Sequence, residues 1–247
     1  MTQRNGHKIW RNLKMMSTES SFGYVEAHKA LRTNISYLLP DTGKGHVIMI
    51  TSAVPGEGKS NVSVNLAYSY AQEKKRVVLI DCDLRKGTLH RYLDVPALAP
   101  GLSSVLKGKI ALDTAIVHLK YGFDFIPVGA LPTNPSELIG SSSMSDMLAA
   151  LADSYDTIIC DTAPVLSVAD TAILCRFVDG VVFVISHNDT TRNTALAAKE
   201  SLEQANANIL GVVLNKYDAK ETGTDAYNYY SYYNYSNYGY GDDSKKQ

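Results

Sequence analysis

Little in this chain of 247 residues speaks for a secreted, membrane-spanning or nucleic-acid-binding protein. Cysteine is scarce: Cys82, Cys160 and Cys175 are odd in number and form no Cys-x-x-Cys pair, which excludes a disulfide framework and predicts reduced, buried thiols. No apolar run approaches the roughly 20 residues that a membrane span needs, and the N-terminus lacks the apolar stretch of a signal peptide, so a cytoplasmic location is expected. An excess of one charge is missing too. Twenty-four Lys and Arg against 25 Asp and Glu leave a net charge of −1, so no nucleic acid is expected as a partner. The six histidines are scattered without metal-ligand spacing. What remains is enough chain for one sizeable core with tails.

The chain is organised around residues 46 to 60. An apolar, β-branched run from His46 breaks at Pro55-Gly56, and Gly58-Lys59-Ser60 opens a predicted helix from Asn61 to Lys75. This is the pattern of a phosphate-binding loop. Small residues let the loop from Pro55 to Asn61 curl round a phosphate and point at it the backbone N–H groups of Gly56 onward, including that of Glu57. Lys59 can then reach the outer phosphate oxygens, and the Ser60 hydroxyl can hold Mg²⁺. The strict spacing would put a first glycine at position 53, where this chain has Ala53.

In chain order, residues 1–22 carry Arg4, Lys8, Arg11 and Lys14 without an acid before Glu19, and read as a flexible basic arm. Two roles stay open for it, a solvated tail and a dock on an anionic membrane surface. From Tyr24 to Leu39 apolar residues recur at helical spacing, and Pro40 follows as a stop. Glu26, Lys29 and Arg32 share a polar side of this helix, either as an exposed face or as an oligomer contact. Buried strands are predicted at Arg76–Asp81, Phe123–Val128, Asp156–Asp161, Gly180–Ser186 and Ile209–Asn215, with helical segments between them. The alternation predicts an α/β fold with a doubly wound, mostly parallel sheet covered by helices on both faces, spanning residues 23–220. Ligands gather at the carboxyl ends of such strands, where Asp81, Asp83, Asp161 and Asn215 fall. Asn134-Pro135-Ser136-Glu137 has the composition of a helix start.

A phosphate-binding loop needs a partner carboxylate to position Mg²⁺. Asp161 fits, because Thr157-Ile158-Ile159-Cys160 ends in an acid and a turn, and Asp81 ends its own strand in the same way. Asp83, two residues further, could orient an incoming hydroxyl nucleophile. Residues 221–247 change composition abruptly. Tyr227, Tyr229, Tyr230, Tyr232, Tyr233, Tyr235, Tyr238 and Tyr240 are spaced by Asn, Ser and Gly, with no aliphatic residues to build a core, so a disordered tail is expected. It is either a self-associating tract or a cluster of phosphate acceptors. About 20 flexible residues have an r.m.s. span of roughly 25 Å, enough to visit an adjacent protomer.

Together these pieces resemble the bacterial tyrosine kinases, the BY-kinase family that controls capsular and extracellular polysaccharide synthesis. Ala53 to Ser60 is similar to that family's Walker A motif, Val78 to Asp83 to its A′ motif and Ile158 to Asp161 to its Walker B motif. Glu26 to Arg32, Asn134 to Ile139 and the tyrosine cluster match as well. The resemblance implies a P-loop NTPase-type fold, ATP with Mg²⁺ as cofactors, and Lys59, Asp81, Asp83 and Asp161 as catalytic residues. It also implies trans-autophosphorylation of the tail tyrosines, ring-like homo-oligomers built through Glu26, Lys29 and Arg32, protein substrates and a tyrosine phosphatase as partner. A separate transmembrane polysaccharide co-polymerase or adaptor would recruit the chain to the inner face of the cell membrane. Lys29 stands where the family has arginine, which implies a weaker contact, and Gly87 where relatives often have proline, which implies a looser loop. The rival reading is an ATPase switch of the septum-positioning or partition type; those proteins carry a signature lysine where this chain has Val54.

Overall fold

The computed structural model describes residues 15–17, 19–187 and 189–217. In order the elements are α1 (Phe22–Leu38), β1 (His46–Ser52), α2 (Lys59–Gln72), β2 (Val77–Asp81), α3 (Leu89–Tyr92), α4 (Leu102–Leu106), α5 (Leu112–Ala115), β3 (Val117–His118) and β4 (Asp124–Ile126). They continue with α6 (Pro135–Ile139), α7 (Ser142–Ser154), β5 (Thr157–Asp161), α8 (Asp170–Leu174), a 3₁₀ turn (Cys175–Phe177), β6 (Gly180–Ser186), α9 (Arg192–Gln204) and β7 (Ile209–Asn215). The strands form one sheet in the order β3-β4-β2-β5-β1-β6-β7, parallel except for the antiparallel β3–β4 edge. The expected doubly wound sheet is therefore present.

Its two faces follow from the alternation of side chains along each strand. Val47 and Met49 of β1, Val78 and Ile80 of β2, Ile158 and Cys160 of β5, and Val181 and Phe183 of β6 point to one side, where they pack with Leu102, Leu148, Leu151 and Leu202. Their neighbours Ile48, Ile50, Leu79, Ile159, Val182 and Val184 point to the other, where Ile35 of α1 and Leu66 and Tyr70 of α2 cover them. Because both faces are buried, the strands read as continuous apolar runs. All three cysteines are free and buried, as predicted.

Phe125 on β4 is the largest fully buried side chain among the described residues and belongs to the second layer of the core. Phe125→Ala is expected to cost about 3–5 kcal/mol of unfolding free energy, measured by urea titration, because the cavity cannot collapse inside a sheet pinned on both faces.

The differences from expectation lie at the margins. The strand expected at Phe123–Val128 shrinks to Asp124–Ile126, and the two-residue β3 beside it is too short to leave a pattern. Within the supposed basic arm, Met16 is buried and its N–H donates to Asn65 Oδ1 at 2.7 Å, so the chain is anchored on α2 before α1 begins. Residues 1–14 and the tyrosine-rich segment lie outside the described residues. The polar side expected on α1 is divided: Lys29 pairs with Glu26 at 2.7 Å on the surface, whereas Arg32 is buried. Arg32 donates to the Ser69 carbonyl at 2.6 Å and pairs with Glu73, which ties α1 to α2 and takes its guanidinium off the exposed face. Gly87 is not loose either. A Cβ there would meet Val128 Cγ2 at 2.2 Å, so the loop is packed against β4's continuation.

Candidate active site

β1 delivers the chain into the loop 53–58 at the carboxyl edge of the sheet, between β5 and β6. Ala53 takes the place of the expected glycine without penalty, since its methyl group is fully buried in the core and its φ is not positive. Glycine is required two turns on. Gly56 and Gly58 have φ of 90° and 94°, and a Cβ on Gly58 would sit 2.0 Å from Asn215 Nδ2. No side chain caps α2, so its first turn presents the unpaired N–H groups and positive dipole end that suit a phosphate.

The loop is braced from below. Glu57 is buried; its Oε2 accepts from Val54 N–H at 2.8 Å, and its Oε1 accepts from the Thr190 hydroxyl in the β6–α9 loop. Asn215, at the end of β7, donates to the Glu57 carbonyl at 2.8 Å. Asn61 Oδ1 accepts from the Tyr24 hydroxyl of α1 at 2.8 Å. Of the residues expected to bind a nucleotide, then, Glu57, Asn61 and Asn215 have side chains that shape the loop, while Pro55 and Gly56 stand exposed at its tip.

β5 brings Asp161 beside this loop, in register with Ile50 of β1 and Asp81 of β2. Asp161 Oδ2 accepts from Ser60 Oγ at 2.7 Å and lies 3.4 Å from Lys59 Nζ; Oδ1 accepts from Ser63 Oγ at 2.9 Å. Nothing in the loop motif marks Ser63; only its i+4 position, one helical turn past Lys59, places it on the same side of α2. The Lys59 side chain is 14% exposed and that of Asp161 is 2%. Burial works against the Lys59 charge, but Asp161, Asp83 and Asp81 outweigh it and hold the ammonium above its ordinary pKa.

β2 ends at Asp81, so Asp83 lies in a turn beyond the strand. Asp81 is fully enclosed, and its oxygens accept from Asp83 N–H at 3.3 Å and Leu89 N–H at 3.1 Å. Burial, then the nearby Asp161, pushes its pKa to about 8 against the pull of Lys59. Lys59, Ser60, Asp81, Asp83 and Asp161 are thus brought together in space, as the sequence predicts. A cleft of about 600 Å³ lined by Lys74, Asp124 and Tyr155 lies at the opposite, amino ends of the strands and takes no part in this cluster.

Residues 48–241 match the family model of the CobQ/CobB/MinD/ParA nucleotide binding domain. The chain is 38% identical over 216 residues to the tyrosine-protein kinase YwqD of Bacillus subtilis (strain 168), covering 87% of this chain and 90% of that protein. The chain belongs to the bacterial tyrosine-protein kinases. Etk, the tyrosine-protein kinase of Escherichia coli (strain K12), is 40% identical over 192 residues, which are 77% of this chain but 26% of Etk. Among solved structures, the kinase domain of the Escherichia coli tyrosine kinase ETK superposes with a TM-score of 0.73 at 38% identity, covering 79% of this chain and 78% of that one. The bacterial tyrosine kinase fold here is thus a P-loop nucleotide-binding domain. Among the described residues no helix is long and apolar enough to cross a membrane.

Proposed function

We propose that this kinase takes ATP with Mg²⁺ and phosphorylates tyrosine hydroxyls, foremost those between Tyr227 and Tyr240 in the tail of a neighbouring copy. The single observation that carries this reading is the Lys59–Ser60–Asp161 cluster with Asp81 and Asp83 drawn around the same ammonium. The donor set fits the cofactor: the Gly56–Gly58 cradle suits phosphate oxygens, and Ser60 and Asp161 offer the hard oxygen ligands that Mg²⁺ prefers. Asp81, already expected as a metal residue, stands at the next strand end. When bound, Mg²⁺-ATP supplies the phosphoryl group and neutralises part of its charge.

This chain's own residues then have separable tasks. Lys59, kept protonated by the acids around it with Asp161 foremost, offers positive charge where the transferring group gathers negative charge. Asp83 accepts or orients the proton of a tyrosine hydroxyl, whose ordinary pKa near 10 leaves it un-ionised at neutral pH. Loop 53–58, braced by Glu57 and Asn215, keeps these groups in place before a substrate arrives.

Around that chemistry we place ring-like homo-oligomers using Glu26 and Lys29, with buried Arg32 acting through the α1–α2 junction. We also place a transmembrane polysaccharide co-polymerase or adaptor that recruits the kinase to the membrane, a tyrosine phosphatase that resets it, and a role in capsular or extracellular polysaccharide synthesis. What supports these is the resemblance in the motifs already described.

The test is the intact mass of the protein after incubation with ATP and Mg²⁺, with and without the cytosolic segment of a candidate adaptor. A ladder of phosphates mapping to residues 227–240 is expected. Unmodified tails beside continued ATP hydrolysis would favour the ATPase switch.

A further inference from the structure

Arg85 and Lys86 stand exposed on the turn that carries Asp83, while Leu84 between them and Asp83 is buried in the first layer of the core, and the Arg85 side chain bolts the turn to the rest of the molecule. Arg85 Nε donates to Asp170 Oδ2 at 2.7 Å and Arg85 Nη2 donates to Asp170 Oδ1 at 3.0 Å. The same Nη2 donates to Ser136 Oγ at 3.0 Å, and Ser136 Oγ donates to Asp170 Oδ1 at 2.5 Å. Three segments distant in sequence meet here: the turn after β2, the start of α6 and the start of α8. A surface ion pair would contribute little, but the Asp170 side chain is only 5% exposed and the contact is a two-pronged fork, which fixes position as well as charge. Lysine lacks that fork.

The anchor is itself part of the site's frame. Thr171, next to Asp170, donates from Oγ1 to the Ala163 carbonyl at 2.7 Å, two residues after Asp161. At the other end of the linkage, Asp83 Oδ1 accepts from the backbone N–H of Arg85 at 3.3 Å and of Lys86 at 2.9 Å. One residue thus grips the Asp83 carboxylate with its backbone and the α8 frame with its side chain.

We infer that Arg85 is a positioning residue for phosphoryl transfer, setting the Asp83 carboxylate against the Asp161 strand end through Asp170 and Ser136. The inference rests on the reading of Asp83 as the group that addresses the tyrosine. It explains why the Asn134-Pro135-Ser136-Glu137 helix start sits where it does: Ser136 completes the seat for the guanidinium.

Steady-state kinetics of the full chain test it, using ATP, Mg²⁺ and a synthetic peptide of residues 224–240 as acceptor. Arg85→Gln is expected to lower kcat by about 10- to 100-fold, the scale of an ångström misplacement, with the KM for ATP within about 2-fold. Arg85→Lys should fall near Arg85→Gln, and Ser136→Ala between that and the parent. In an Asp83→Asn background, Arg85→Gln should lower kcat no further, since a group acting through Asp83 has nothing left to position. Thermal unfolding of each variant is followed in parallel. If Arg85→Gln fails to fold, the Arg85→Lys and Ser136→Ala pair with Asp83→Asn carries the same comparison. Full kcat in Arg85→Gln beside a crippled Asp83→Asn, or losses that multiply in the double variant, would overturn the inference alone. Full kcat in Asp83→Asn would overturn the reading of Asp83, and this inference with it.

Discussion

Lys59→Met is expected to abolish phosphoryl transfer to tyrosine, by about 10³-fold or more in kcat, the scale found when a charge-stabilising cation is removed from such a site. Methionine keeps the length and apolar stem of the side chain and removes only the ammonium. What it leaves behind is informative. Asp161 lies 3.4 Å from the lost charge and is 2% exposed, and Asp81 is enclosed beside it, so two buried carboxylates lose their cation together. Breaking a buried pair by deleting one partner costs about 3–5 kcal/mol when the other must stay charged. Here Ser60 and Ser63 still donate to Asp161, and Asp81 can keep a proton, so the stability loss should fall at or below the low end of that range. The two readouts separate. Radiolabel transfer from ATP should vanish, while urea unfolding at pH 6 shows a folded protein. A variant that is folded and retains more than about a tenth of the transfer rate would remove Lys59 from the chemistry.

The phosphate loop, the parallel sheet and the acids at the strand ends were legible because each is a local signal repeated at the strand period. Val78 to Asp81 and Ile158 to Asp161 are apolar runs ending in acid, and parallel pairing aligns Asp81 with Asp161 by register alone. What the sequence hid are contacts made across long separations. Arg85 and Asp170 are 85 residues apart and Glu57 and Thr190 are 133 apart; nothing near either residue announces its partner. Arg32 shows the opposite failure. Its spacing from Glu26 and Lys29 placed it on a polar face, but α2 packs against that flank of α1, so the guanidinium is buried on Ser69 and Glu73. Helical spacing tells which residues share a side, and only packing tells which side is covered. Asn61 and Asn215 add contacts that no spacing announces: their side chains bond Tyr24 and the Glu57 carbonyl and so brace the loop that the sequence marks for a nucleotide.

In protein freed of divalent cations and nucleotide, stability should fall as pH rises from about 4 to about 8, and Asp81→Asn should flatten that slope. The folded-state pKa of Asp81 is raised to about 8 by burial and by Asp161, whereas an unfolded aspartate titrates near 3.9. Between those values the folded chain holds a proton that the unfolded chain has released. Folding therefore gains most from this group below pH 4, and the gain is lost as pH rises through 8. At about 1.4 kcal/mol per unit, the ceiling for one carboxyl across this window is on the order of 5 kcal/mol. Asparagine cannot ionise, and it has one acceptor oxygen where aspartate uses two, for Asp83 N–H and Leu89 N–H. It should start with a fixed deficit of about 1 kcal/mol at pH 5 and overtake the parent as pH approaches 8. Urea titrations in chelator at pH 5, 6, 7 and 8 measure the difference directly. A difference that stays constant across the series would mean that Asp81 is ionised throughout, with Lys59 neutralising it in full. The site would then carry three charged acids around one ammonium at rest, and Asp83 would face a tyrosine hydroxyl in a more negative field than the geometry now assigns to it.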